Sequence, residues 1–197
     1  MSFTELPATA AWAHRDARTG FEVVYPRRDG VGHRMIGCTT AVEDDRTWFV
    51  EYDITIDSRW VTRSALVTGR SVAGRRSVLL ETDGAGHWLV DGAAAAHLDG
   101  CLDVDLESSA LTNTLPVHRL ALPVGARADA PAAYVLASDL TVERLEQRYQ
   151  RIDDRATDDC AHSYYDYVAP AFDFACRLVY DESGLVLHYP GIATRVA

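Results

Sequence analysis

From Ala11 onward, short β-type runs recur roughly every ten residues, each closed by Gly, Asp, Pro or Ser, and that rhythm leaves room for little besides a large sheet. Phe21 to Tyr25 stops at Pro26 and Asp29-Gly30, and His33 to Ala41 follows. Trp48 to Asp57 alternates most cleanly: Val50, Tyr52, Ile54 and Ile56 share one face, and Glu51, Asp53, Thr55 and Asp57 the other. Asp57-Ser58-Arg59 offers a hairpin turn before Trp60 to Thr68, and Asp83-Gly84-Ala85-Gly86 a strong turn between Arg76 to Thr82 and His87 to Val90. Roughly twelve to fourteen strands at this spacing must curl, close or split to protect their edges. No fixed-period repeat or linker interrupts them, so residues 1–197 read as one mainly β domain.

Three stretches depart from the rhythm. Ala93 to Leu98 is too short for a helix and leads into a strand from Leu98 to Leu106. Glu107 to Leu115 can form a short helix, with Ser108 and Ser109 as capping residues and Pro116 as its stop, before strands at Val117 to Leu122 and Ala133 to Ala137. Thr141 to Ile152 carries Val142, Leu145, Tyr149 and Ile152 at helical spacing, and its Glu, Gln and Arg content favours a helix, although Thr141 to Leu145 could also begin a strand. A polar loop from Arg151 to Asp159 then precedes strands at Ser163 to Val168, Phe172 to Tyr180 and Leu185 to Tyr189. The last two are joined by the turn Asp181-Glu182-Ser183-Gly184.

Charge narrows the partners. With 29 acids against 19 bases and a net charge of −10, the chain is unsuited to electrostatic capture of nucleic acid or of an anionic membrane surface. Cys38, Cys101, Cys160 and Cys176 never approach CxxC spacing and read as buried free thiols. No secretory signal or apolar run long enough for a membrane span is visible, which gives the expectation of a soluble cytoplasmic protein. The seven histidines have no metal-ligand spacing, and neither a nucleophile elbow nor a phosphate or dinucleotide loop occurs, so no metal, cofactor or catalytic residue is assigned. His118 reads as a strand residue, the four Trp as core or rim packing, and Tyr164, Tyr165 and Tyr167 as strand and interface residues.

One strand carries most of the chemistry. In Cys101 to Glu107, Leu102, Val104 and Leu106 fall on one face and Asp103, Asp105 and Glu107 on the other. Spacing alone leaves two readings open: a solvated acidic face, the commoner meaning of alternation, or acids lining the concave side of a curled sheet. Ionised carboxylates suit sugars, because each accepts several hydrogen bonds and a hydrogen bond to a charged group is worth about 1.5–3 kcal/mol. Asp103 and Asp105 lie roughly 6.5–7 Å apart along a strand, which overlaps the carboxylate separation of an inverting glycosidase. However, both point the same way, where a glycosidase needs them on opposite sides of the bond.

The run GCLDVDLESSALTNTLPVHRL, from Gly100 to Leu120, resembles the signature of the glycolipid-binding family, formerly a family of unknown function. Tyr52 to Ile54 with Trp60 to Arg63, Asp83 to Trp88, Gln147 to Arg151 and Asp181 to Val196 match in order along most of the chain. The resemblance implies a long, strongly curved, barrel-like antiparallel sheet wrapped around one α-helix, remotely similar to lipoprotein-localisation carriers, with an acidic pocket and association as a homodimer. By the same resemblance Asp103 and Asp105 belong to the pocket and Thr112, Asn113 and Arg119 orient them, and Asp53 and Trp60 join the ligand-binding candidates. The implied function is non-catalytic binding of a glycolipid or related sugar-bearing lipid, with hydroxyls on the acids and chain carbons on apolar interior positions. Two alternatives stand beside it: a carbohydrate- or lipid-active hydrolase, which needs a raised-pKa carboxyl facing Asp103, Asp53 being a candidate, and a ligand-free dimeric interaction module.

Overall fold

In the computed structural model, which describes residues 3–156 and 161–197, the alternating sequence becomes seventeen strands. The first eight are β1 (Ala10–His14), β2 (Thr19–Asp29), β3 (Gly32–Glu43), β4 (Arg46–Ile56), β5 (Thr62–Ser71), β6 (Gly74–Thr82), β7 (Trp88–Val90) and β8 (Ala93–Ala94). β9 (Asp103–Leu106) precedes α1 (Thr114–Leu120), the one α-helix among the described residues, and β10 (Arg127–Asp129), β11 (Ala132–Val135) and β12 (Val142–Leu145) follow. β13 (Arg148–Ala156), β14 (Ala161–Ala169), β15 (Phe174–Tyr180), β16 (Val186–Tyr189) and β17 (Ala193–Arg195) complete the chain.

Fourteen strands form one antiparallel sheet in the order β10-β13-β14-β15-β16-β17-β1-β2-β3-β4-β5-β6-β7-β8, and β12-β11-β9 form a second. The first strand pairs with the last, Trp12 opposite Arg195, so the two ends of the chain knit the two halves of the large sheet together. The segment from β9 to α1 lies in the concavity. Thr39 of β3 donates to the Ser108 carbonyl at 2.8 Å, and the Val104 N–H donates to Thr62 Oγ1 of β5 at 3.0 Å. From the other half, Tyr149 and Tyr180 of β13 and β15 donate to Asn113 at 2.8 and 3.1 Å. One segment held by strands so far apart in the sheet order requires the sheet to curl around it. The expected curved sheet around one helix is therefore what forms, and it stays open, because β10 and β8 end the order unpaired with each other.

Alternation sets the two faces of the large sheet. Val50, Tyr52, Ile54 and Ile56 are all buried with Trp12, Met35, Ala65, Val67 and Leu80, and each fully buried large apolar side chain contributes roughly 1.5–3 kcal/mol. Phe21, Tyr25 and Leu66 stand half exposed on the convex side. Gly37 opposes Tyr52 in the β3–β4 register, and the Tyr52 ring lies across it to reach Glu22 of β2. A Cβ at residue 37 would run into Tyr52 Cζ and Oη and stand 2.6 Å from the Val23 carbonyl oxygen. Gly37→Ala is expected to destabilise the fold by about 1–3 kcal/mol through overpacking. Urea unfolding checks this, and an unchanged midpoint would mean that Tyr52 has room to move.

Several local expectations give way to tertiary pairing. β2 runs through Pro26 to Asp29: β1 accompanies β2 only as far as Val24, so Pro26 sits where β2 has become an edge and a missing N–H is tolerated. The strand expected from Leu98 is shorter, starting at Asp103, after a 3-10 turn at Ala96–Leu98. The helix begins rather than ends near Pro116, because a proline in the first turn lacks only an N–H that no helical carbonyl would accept. Val117 to Leu120 is thus helix, not strand, and Ala121 closes it in the left-handed conformation at φ 44°.

The helix expected over Thr141 to Ile152 is instead β12 and β13, which find partners in β11 and β14. A β-bulge at Ile152 adds one residue to the alternation, so Tyr149 and Ile152 only imitate helical spacing. β13 also replaces most of the expected polar loop as far as Ala156, and Thr157 to Asp159 lie outside the described residues, as does Cys160. Cys101 is buried, whereas Cys38 and Cys176 are only partly so. Among the described residues no helix is long and apolar enough to cross a membrane.

Candidate functional site

β9 repeats the apolar–acidic pattern of β4 and meets a different fate. β4 lies within the curved sheet, so its acids face outward. β9 lies inside the concavity, and all four of its residues are buried, Asp103 at 0% and Asp105 at 6% exposure. The solvated-face reading of this strand is thereby excluded. Parallel pairing with β11 places Asp103 beside Ala132 and Asp105 beside Tyr134.

The last turn of α1 brings Arg119 onto Asp103, with Nε 2.9 Å from Oδ1 and Nη2 2.5 Å from Oδ2, a two-pronged ion pair. Burial raises the Asp103 carboxyl, and the guanidinium opposes that rise. Both partners are spent on each other, so Asp103 is a structural counter-ion and is not part of the cavity wall described below.

Asp105 is differently placed. Thr112, in the 3-10 turn Leu111–Asn113, donates its hydroxyl to Asp105 Oδ1 at 2.6 Å. Burial lifts the Asp105 carboxyl to about 6, the Thr112 hydrogen bond pulls down, Asp103 next along the strand pushes up, and Gln147 pulls down. Asn113 accepts from Tyr149 and is fixed against β13 and β15. Four predicted residues thus form two adjacent polar pairs on β9, Asp103 with Arg119 and Asp105 with Thr112, while Asn113 is hydrogen-bonded to Tyr149 and Tyr180.

Asp105 and Asn113 open onto a cavity of about 220 Å³. Tyr134, Tyr167, Phe174 and Tyr189 surround it, with Tyr167 and Tyr189 ring centroids 6.0 Å apart in an edge-on arrangement. Phe172, 54% exposed, stands at its mouth against Tyr134. Glu107 and Ser109 add polar lining, and Arg18, from the β1–β2 connection, enters the wall from the large sheet. Ser109 also links the cavity to a second buried carboxyl: Glu22, fully enclosed, accepts from Ser109 Oγ, from Tyr52 Oη at 2.6 Å and from the Ala110 N–H at 2.7 Å. Burial raises Glu22 as well, against those three donors.

Sequence reasoning had no sign of Arg18, which sits in a turn, nor of Glu22, whose neighbours are apolar. Tyr167, expected as a strand and interface residue, is a strand residue that lies on the cavity wall, and its place two residues from Tyr165, on the same buried face, is the available clue. Asp53 and Trp60 do not join the others. Asp53 faces outward on β4 in an ion pair with Arg34, 2.5 Å from Oδ2 to Nη2, so it does not confront Asp103. Trp60, at φ 64°, stacks on His118 with centroids 3.6 Å apart and on His33. It lines a separate cleft of about 520 Å³ in which the charged Arg27 and Arg28 are exposed. His118, a helix residue rather than a strand one, bonds the Ser183 carbonyl oxygen through Nε2, and burial lowers it to about 3, so it is neutral. Among the described residues no group of three His, Cys, Asp or Glu is placed to hold a metal ion.

Comparison with known proteins adds three findings. A family model described as "Putative glycolipid-binding" matches residues 9–195. A crystal structure of a DUF1089 family protein from Pseudomonas aeruginosa is 32% identical, with a TM-score of 0.75 over 89% of this chain and 92% of that one. A beta-barrel-like protein of the DUF1849 family from Brucella abortus shares the fold, with a TM-score of 0.56 at 11% identity over 98% of this chain and 96% of that one. No curated protein matches the chain.

Proposed function

The chain belongs to the glycolipid-binding family, and from that premise we propose that it binds the headgroup of a sugar-bearing lipid in the Asp105 cavity. The observation that carries this reading is Asp105 itself: a buried carboxyl on a cavity wall, engaged by Thr112, Gln147 and the Leu106 N–H out of about four acceptor sites, among aromatic rings suited to packing on the faces of a sugar. The cavity is compact, about 220 Å³, which suits one headgroup better than a whole lipid. The chain carbons therefore leave past Phe172 instead of entering the apolar interior, which the core side chains fill.

Binding is favoured over hydrolysis because the other carboxyl on the cavity wall, Glu107, follows Asp105 by two residues just past the end of the same strand instead of facing it from across the cavity. Asp103 is held by Arg119, Glu22 by three donors, and Glu107 accepts from the Ala137 N–H at 2.7 Å. The cavity also supports a ligand over an interaction module that binds none.

Octyl β-D-glucopyranoside below its micelle concentration is a suitable probe. Asp105→Asn preserves shape and is expected to weaken its binding by on the order of 10- to 100-fold, the worth of one or two charge-assisted hydrogen bonds. Because the ionised form is the acceptor, wild-type affinity should fall as pH drops through about 6, and the variant should show no such fall. Isothermal titration between pH 5 and 8 reads both effects. Equal affinities for the two proteins at pH 8 would remove Asp105 from the site.

A further inference from the structure

Arg18 is the least satisfied cation among the described residues. Its side chain is only 6% exposed, and Nε and Nη1 are sealed without a hydrogen-bond partner. The nearest carboxylate oxygen, Glu43 Oε1, stands 3.8 Å from Nε, beyond hydrogen-bond reach, and the other Glu43 oxygen accepts from Trp48 Nε1 at 3.3 Å. The guanidinium lies over the Trp48 ring, 5.1 Å from its centroid, which steadies it without supplying an acceptor. Buried His14 beside it does not compensate: burial, and then Arg18, hold that ring near 4, and neither of its nitrogens makes a hydrogen bond to the guanidinium.

A buried guanidinium with open donors is costly unless something completes it. Arg18 lines the same cavity as Asp105, from a different element, and with Nε and Nη1 sealed it is Nη2 that a ligand in the cavity can reach. The guanidinium favours carboxylate and phosphate over hydroxyl, because an ionised acceptor roughly doubles the strength of the bond. We infer that the cavity takes an anionic headgroup, a sugar carrying a carboxylate or phosphate, with the anion on Arg18 and free hydroxyls on Asp105. This deepens the headgroup reading and rests on it for the identity of the sugar end.

The test pairs two probes that differ only at C6, a hydroxymethyl group in octyl β-D-glucopyranoside and a carboxylate in octyl β-D-glucopyranosiduronic acid, titrated into the full chain at pH 8, with free glucuronate as a third. Wild type is expected to bind the uronide at least roughly tenfold more tightly than the glucoside. Arg18→Gln should abolish that preference, and Arg18→Lys, which keeps the charge without the planar fork, should retain part of it. Equal binding of the two octyl probes by wild type overturns the inference. So does an Arg18→Gln variant that weakens both probes by one common factor, since that is the behaviour of a packing residue. If free glucuronate binds as tightly as the uronide, the anion site stands and the lipid reading fails. If only the glucoside binds, the headgroup reading stands and the anion site fails, and if no probe binds, both fall.

Discussion

Asp103→Ala is expected to destabilise the protein by about 3–5 kcal/mol, because it strands the largely buried Arg119 guanidinium without a counter-charge. The pair itself is a different matter. Two buried charges lose hydration that their mutual attraction only partly returns, so replacing both by apolar groups of similar volume is often neutral. The double variant Asp103→Leu with Arg119→Met should therefore recover most of the loss. Urea unfolding of the wild type, the single and the double variants at pH 7.5 checks this. A loss under about 1 kcal/mol for Asp103→Ala would mean that Arg119 finds Asp105, the next acid on β9, and the role of structural counter-ion would then be wrong.

Asp105→Asn should make the protein more stable at neutral pH even as it weakens binding. The Asp105 carboxyl titrates near 6 in the folded chain against an ordinary value of 3.8, so between those values the folded state holds the extra proton. Stability from this group is consequently highest below 3.8, falls as pH rises towards 6, and stays low above it. The difference is about two pH units at about 1.4 kcal/mol each, or about 3 kcal/mol. Removing the charge should return that amount at pH 8, a rise in melting temperature of roughly 6–12 °C for a chain of this length, and should gain nothing at pH 4.

The comparison between variants matters because the histidines act in the opposite sense. Buried His14 and His118, held near 4 and 3, destabilise the fold as pH falls below about 6.5, in both proteins alike. An equal melting shift at pH 4 and pH 8 would show that Asp105 carries no such strain. A stability gain coupled to a binding loss is the pattern of a group retained for function.

Much of the architecture was legible in the residues. The alternation of Val50, Tyr52, Ile54 and Ile56, the Asp-Gly turns and the closing Asp181-to-Gly184 hairpin specify strands because a period of two allows only one buried face in a sheet with one solvated side. Family resemblance supplied the curved sheet around one helix, which local pattern alone left open between curling, closing and splitting.

What the sequence could not decide is the outcome of one pattern in two places. Glu51, Asp53 and Thr55 on β4, and Asp103 and Asp105 on β9, have the same spacing. Asp53 faces outward to Arg34, whereas Asp105 ends 6% exposed beside a cavity. The difference is one of layer: a strand within the curved sheet keeps one face for water, and a strand enclosed by that sheet keeps none. The same long-range placement, not any local signal, brings Arg18 from a turn, Tyr134 from β11 and Tyr167 from β14 to the wall that Asp105 shares. Local residue patterns therefore determined most of the strands and which side chains are acidic, whereas tertiary enclosure decided the remainder, pairing Thr141 to Ile152 as β12 and β13 and leaving Asp105 deprived of water and facing a cavity.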